Sequence, residues 1–178
     1  MNPDTTLVSD SQFDTYMDLL MSKYSDDLSV RALHSDFLKK DNKLQEAKKE
    51  LEFILSKDKN NYLIWEELLL LCNETADTVG MYKTGTEAIK YFPDQPLPYA
   101  LSGISLMMQK DFKSAMPFFQ KGVELAGDKL ELKSQFYSYL ADCYYNLDSV
   151  QQAFDMFDQV LLINPDDALV LNNYAYYL

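Results

Sequence analysis

Few residues in this chain are suited to metal or redox chemistry. It has one histidine and two cysteines in 178 residues. Cys72 and Cys143 stand far apart, with no CxxC and no Cys/His cluster, so neither a disulfide scaffold nor a structural zinc is expected. Glycine and proline are scarce, at 5 and 6, which excludes collagen-like and low-complexity classes. Val plus Ile number 12 against 27 Leu, a ratio that favours helix, because unbranched side chains lose little rotamer freedom there. Positive charge is also short. Lys+Arg of 16 against Asp+Glu of 28 gives a net charge of −12, so nucleic acid is a poor candidate ligand and an acidic membrane surface is unfavourable. The longest apolar run, 68–72, is far short of the ~20 residues that cross a bilayer. The polar opening residues show neither a basic region nor an apolar core of a signal peptide. On the chain as given the expected compartment is cytoplasmic, with the bacterial periplasm as the alternative if an upstream signal sequence has been removed. Asn73-Glu74-Thr75 matches a glycosylation sequon and reads as chance.

What the sequence does contain is a repeat. Over 135–165 it places Tyr137, then Leu140-Ala141 and Tyr144, then Ala153, Phe157, Val160 and Pro165. A small residue recurs as Ser35, Gly103, Ala141 and Ala175, with Leu69 breaking the column, in steps of 34, 34, 38 and 34 residues across those five positions. Three residues further on stand Leu38, Cys72, Leu106, Tyr144 and Leu178. A second small column reads Ala47, Met81, Ala115 and Ala153, followed one turn later by Leu51, Gly85, Phe119 and Phe157. The single longer step implies a four-residue insertion between Ala126 and Leu132, at 127–129.

This pattern closely resembles the tetratricopeptide repeat (TPR), a helix–turn–helix unit whose small residues let two helices approach while aromatics and leucines fill the space between them. The resemblance covers almost the whole chain. It implies an all-α, right-handed superhelical solenoid of stacked antiparallel helix pairs, each pair burying its apolar face against the next. The expected units are a linker plus the second helix of a truncated repeat over 1–27, and repeats over 28–61, 62–95, 96–133 and 134–167. A final first helix over 168–178 follows, so that the chain reads as an internal segment of a longer array. Helices are predicted over 11–23, 28–40, 43–57, 62–74, 77–91, 96–109, 112–126, 132–146, 149–163 and 167–178. Pro117 falls inside one of them and should bend it locally rather than break it.

Little in the sequence points to catalysis. There is no glycine-rich phosphate loop, no GxSxG and no HExxH, so no catalytic residue, cofactor or metal site is expected. His34 lies in a packing column with Leu68, Ser102, Leu140 and Tyr174 and reads as a partly buried packing residue. Lys39-Lys40 and Lys48-Lys49 read as a solvated face. The resemblance instead directs attention to the concave side, lined by first helices. There the register places Leu63, Glu66 and Leu70, then Ile104, Met107 and Met108, then Asp142 and Tyr145, then Asn172 and Tyr176. Apolar and aromatic residues on an open face either are buried between neighbouring first helices or form a groove for a peptide or helix of a protein partner. Lys39 is the only cation among the groove positions, which argues against the capture of a C-terminal carboxylate known in this family. The expected function is a non-enzymatic protein-interaction scaffold. The alternatives are a regulatory or targeting module of a larger multidomain protein, an oligomerisation spacer, or a bacterial cell-envelope assembly factor. Leu171, Tyr174, Ala175 and Leu178 form an apolar stripe on the last helix. Leu171 and Ala175 are expected to pack back, and the remainder to be exposed, so that this end either self-associates or frays.

Overall fold

In the computed structural model the backbone is described over 10–177 and the side chains over 14–168 and 170–174. Every regular element among the described residues is an α-helix: α1 Asp10–Lys23, α2 Leu28–Lys40, α3 Leu44–Lys57, α4 Tyr62–Glu74, α5 Thr78–Tyr91, α6 Pro96–Met108, α7 Phe112–Ala126, α8 Leu130–Asn146, α9 Val150–Ile163 and α10 Ala168–Tyr177. The chain divides into two compact units, Met1–Ile64 and Trp65–Leu178.

In the first unit α2 packs on α1 and α3. Ser35 and Ala47, both fully buried, bring α2 and α3 together, and the Ser35 hydroxyl donates to the Ala47 carbonyl at 3.4 Å. Met17, Leu38, Leu51, Ile54 and Leu55 fill the remaining interior. Glu50 joins the two helices by a second route. One carboxylate oxygen accepts from Arg31 at 2.7 Å and the other lies 3.1 Å from His34 Nδ1, while the guanidinium covers the Phe53 ring at 3.7 Å. His34 is therefore part of a packing network. Lys48 corrects the expectation of a wholly solvated basic face, because it is buried at 6% exposure.

The second unit stacks α5 through α10 in succession, each packed on the next, and α6 also touches α8. Its centre is Phe119 and Phe136, both nearly fully buried with Leu106, Ala115, Leu140 and Cys143. Two glycines make room for these rings. A Cβ on Gly103 would lie 2.5 Å from Phe119, and one on Gly122 would lie 2.1 Å from Phe136. A second cluster, Ala141, Phe157, Val160 and Val170, carries the packing on to α10.

The turns repeat as faithfully as the helices. Asn42, Ala76, Lys110 and Asp148 all have positive φ, between 51° and 63°. Each follows the end of a first helix, where two backbone hydrogen bonds close the turn. After α6 these run from Lys110 N–H to the Met107 carbonyl at 2.8 Å and from Asp111 N–H to the Leu106 carbonyl at 2.9 Å, the Schellman arrangement that satisfies orphan carbonyls. The acceptors of the longer bond are Leu38, Cys72, Leu106 and Tyr144, one column of the repeat. Aspartates then start helices: Asp27, Asp77, Asp111 and Asp167 each accept a backbone N–H of the first turn.

Two local expectations are changed, and a third, that Pro117 does not break its helix, holds. The inserted residues do not lengthen the 127–129 turn. They extend α8 to 17 residues where α2, α4 and α6 have 13, adding about one helical turn, which nearly preserves the facing of its side chains. Helix α7 runs continuously past Pro117, whose side is exposed to solvent. On α10, Tyr174 packs back together with the buried Val170: its ring stacks on Phe154 at 4.8 Å and its hydroxyl donates to Asp158 at 2.7 Å, while Leu171 is 46% exposed. The Ala175 side chain and Leu178 lie outside the described residues.

Candidate partner-binding groove

In the second unit, parallel first helices α6 and α8 are brought together by the α7 that connects them. Helix α6, PLPYALSGISLMM, holds Pro96 and Pro98 in its first turn, where proline is tolerated, and then runs apolar on almost every side. Its inner face supplies Leu106 to the core. One turn around, Ala100, Ile104 and Met107 are half-buried and pack on the edge of the same core, and Met108 is 53% exposed. The extra turn of α8 brings Leu132 alongside, and Gln135 and Tyr139 follow it on the same helix. Between the two helices lies an apolar cleft of about 190 Å³ lined by Leu97, Ala100, Ile104, Leu132, Gln135, Phe136 and Tyr139 among others.

The predicted groove residues fall into three groups. Ile104 borders this cleft, and Met107, Asp142 and Tyr145 are half-buried on the same two helices. Glu66 is half-buried and Leu70 is 49% exposed on α4, Met108 ends α6, and Asn172 is exposed on α10. Leu63 belongs to the first unit and is 67% exposed there. The Tyr176 side chain lies outside the described residues. Among the cleft residues outside that predicted set are Leu132 and Tyr139. Tyr139 was legible in principle, since it stands three residues before Asp142 and so shares its helix face.

Tyr139 is fixed from below. Its ring stacks on Phe119 at 4.9 Å and meets Phe136 edge-on at 6.5 Å. Burial holds its hydroxyl above the usual tyrosine range, with a further push from the nearby Asp142 carboxylate. Asp142 is itself raised above the ordinary carboxylate range by burial. No described residue donates to its side chain; the Asn146 amide binds its backbone carbonyl instead, at 2.8 Å. Burial, together with Asp142, pushes the Cys143 thiol up to about 12, so it stays protonated and inert at neutral pH. Among the described residues no group of three or more His, Cys, Asp or Glu is placed to hold a metal ion, and no helix is long and apolar enough to cross a membrane.

No protein-family profile and no curated protein sequence matches the chain. Solved structures do. A crystal structure of MamA superposes with a TM-score of 0.73 at 11% identity, covering 94% of this chain and 99% of that one. The C-terminal part of a TPR repeat-containing protein from Cytophaga hutchinsonii gives 0.71 at 13% identity, covering 96% and 75%. Residues 41-end of MamA from Desulfovibrio magneticus give 0.66 at 12% identity, covering 90% and 99%. At such identities the similarity concerns the fold, and the fold is that of an all-α, TPR-like solenoid built of consecutive helix pairs.

Proposed function

We propose that the chain is a non-enzymatic protein-interaction scaffold whose second unit receives a peptide or helix of a protein partner along the face formed by α6 and α8. The observation that carries this reading is the apolar cleft between Ala100, Ile104 and Tyr139, continued by the exposed Met108. Apolar surface set in a concavity with a few polar side chains is the usual character of a binding site. Methionine adapts to varied partner shapes, and tyrosine offers a large contact at small entropic cost. The chemistry-bearing residues elsewhere are engaged in structure: His34 is held by Glu50, and Cys143 is buried.

A photo-reactive phenylalanine analogue placed at Met108 tests this reading, with the same residue at Leu162 as control. Leu162 is 76% exposed on α9 and outside the groove. In the source cell, cross-linking to one defined protein partner from position 108 and not from 162 is expected. Equal labelling from both positions would show that the groove is not the contact surface.

A further inference from the structure

We propose that the α6–α8 face selects a partner segment carrying a large apolar side chain beside a Lys or Arg, the apolar group seated in the cleft over Ala100 and the cation held by Asp142 between Tyr139 and Tyr145. The proposal rests on the groove reading above and adds the chemistry of the occupant.

The cleft sets the first requirement. At about 190 Å³ it exceeds the ~150 Å³ apolar cavity that accepts benzene, so one leucine, methionine or aromatic side chain fits. Its walls are aliphatic and aromatic apart from Gln135, which favours an apolar occupant over a polar one.

Charge complementarity sets the second. Helix α6 carries no charged residue, and neither does α10. The charges that helical spacing puts on the groove side of α8 are Glu131 and Asp142, while Lys133 falls on the other side of that helix. The nearest cation along α6 is Lys110, exposed in the turn and six residues beyond Ile104, the counterpart of Asp142 one repeat earlier. A peptide in this groove therefore meets carboxylates, on a chain of net charge −12.

Asp142 is the carboxylate built to be used. It is half-buried, its side chain accepts from no described residue, and it stands three residues from Tyr139 and three from Tyr145 on one helix face. An ammonium or guanidinium placed there pairs with the carboxylate while lying against aromatic rings, two interactions that strengthen as water is excluded. Tyr139 also lines the cleft, so the anionic position and the apolar position are adjoining parts of one surface. The cost that burial places on the ionised Asp142 carboxylate is offset when a cation arrives beside it.

The test uses the full chain as bait for a displayed library of random twelve-residue peptides, with the affinities of enriched peptides measured by fluorescence anisotropy. Peptides pairing Leu, Met, Phe or Trp with Lys or Arg are expected. Asp142→Asn should weaken them at least ten-fold, Asp142→Lys should abolish binding, and Ala100→Met, which fills the cleft, should also weaken them at least ten-fold. Far-UV circular dichroism identifies any variant that fails to fold, and the near-isosteric Asn variant then decides. Peptides lost on Ala100→Met but indifferent to both Asp142 variants would overturn the cation assignment and leave the groove reading standing. No enriched peptide, or peptides indifferent to all three substitutions, would overturn both.

Discussion

At the scale of single residues, the interior of the second unit depends on what is missing from two side chains. Glycine within a helix costs about 1 kcal/mol relative to alanine, yet four of the five glycines lie within helices. Gly103 and Gly122 are there because Phe119 and Phe136 occupy the space a Cβ would need. The small columns Ser35, Gly103, Ala141 and Ala153 were legible from their spacing, and all are buried. Gly122 was not, since a lone helical glycine looks like a weak point until the ring across from it is seen. Gly122→Ala should therefore lower the thermal midpoint despite the gain in helix propensity, overpacking by ~1–3 kcal/mol outweighing about 1 kcal/mol; an unchanged or raised midpoint in a melting experiment would mean that Phe136 can move aside. Asp142 gives the opposite sign. Burial raises its carboxyl in the folded chain, so folding works against the ionised form. That cost is present where the group is charged in both states, above the raised folded value. It fades as pH falls through that value and is gone below the ordinary one, where the group is protonated whether folded or not. Asp142→Asn should accordingly raise the midpoint at neutral pH, and the difference from the parent should shrink as melts are repeated at progressively lower pH.

Among the elements, the helices were readable to within a residue or two because unbranched apolar residues recur at helical spacing and breaks such as Phe92-Pro93-Asp94 and Asn164-Pro165-Asp166 interrupt them. The turns were not. A helix usually closes on a left-handed glycine, but here Asn42, Ala76, Lys110 and Asp148 take that conformation, so the common signal is absent. The longer α8 was unreadable for a related reason: four extra residues fit a helical turn as well as a loop, and only packing decides between them. Ala76 is the most informative of the closing residues, having neither the amide nor the carboxylate with which asparagine and aspartate ease positive φ. Ala76→Gly should remove roughly 1–2 kcal/mol of left-handed strain while adding ~0.4–1 kcal/mol of unfolded-chain entropy. The expected result is a stabilisation of a few tenths to about 1 kcal/mol, read from urea unfolding at unchanged slope. A loss of stability would show that the Ala76 methyl group contributes packing that outweighs its strain.

For the whole molecule, the register of the repeat carried the fold class, because each hairpin buries its apolar face on the next and the columns must stay aligned. It carried less of the groove. Spacing tells which face a residue lies on but not how deeply it sits, so Met108 and Leu70 are exposed while Ile104 and Met107 pack on the Phe119 and Phe136 core. The same architecture governs how damage spreads. Stability in a stacked array is close to a sum of each element's own contribution and those of its contacts with neighbours. Ala141, fully buried beside Phe157 and Val160, lies on α8 where it meets α9. Ala141→Leu should cost ~1–3 kcal/mol by overpacking. In native-state hydrogen exchange that loss should appear first as faster exchange in α8 and α9, then in α7 and α10, which pack directly on them. Amides of α5, separated from the change by α6 and α7, should keep most of their protection. If α5 through α10 instead gain exchange by one common factor, the second unit opens as a single cooperative body, and nearest-neighbour contacts do not partition its stability.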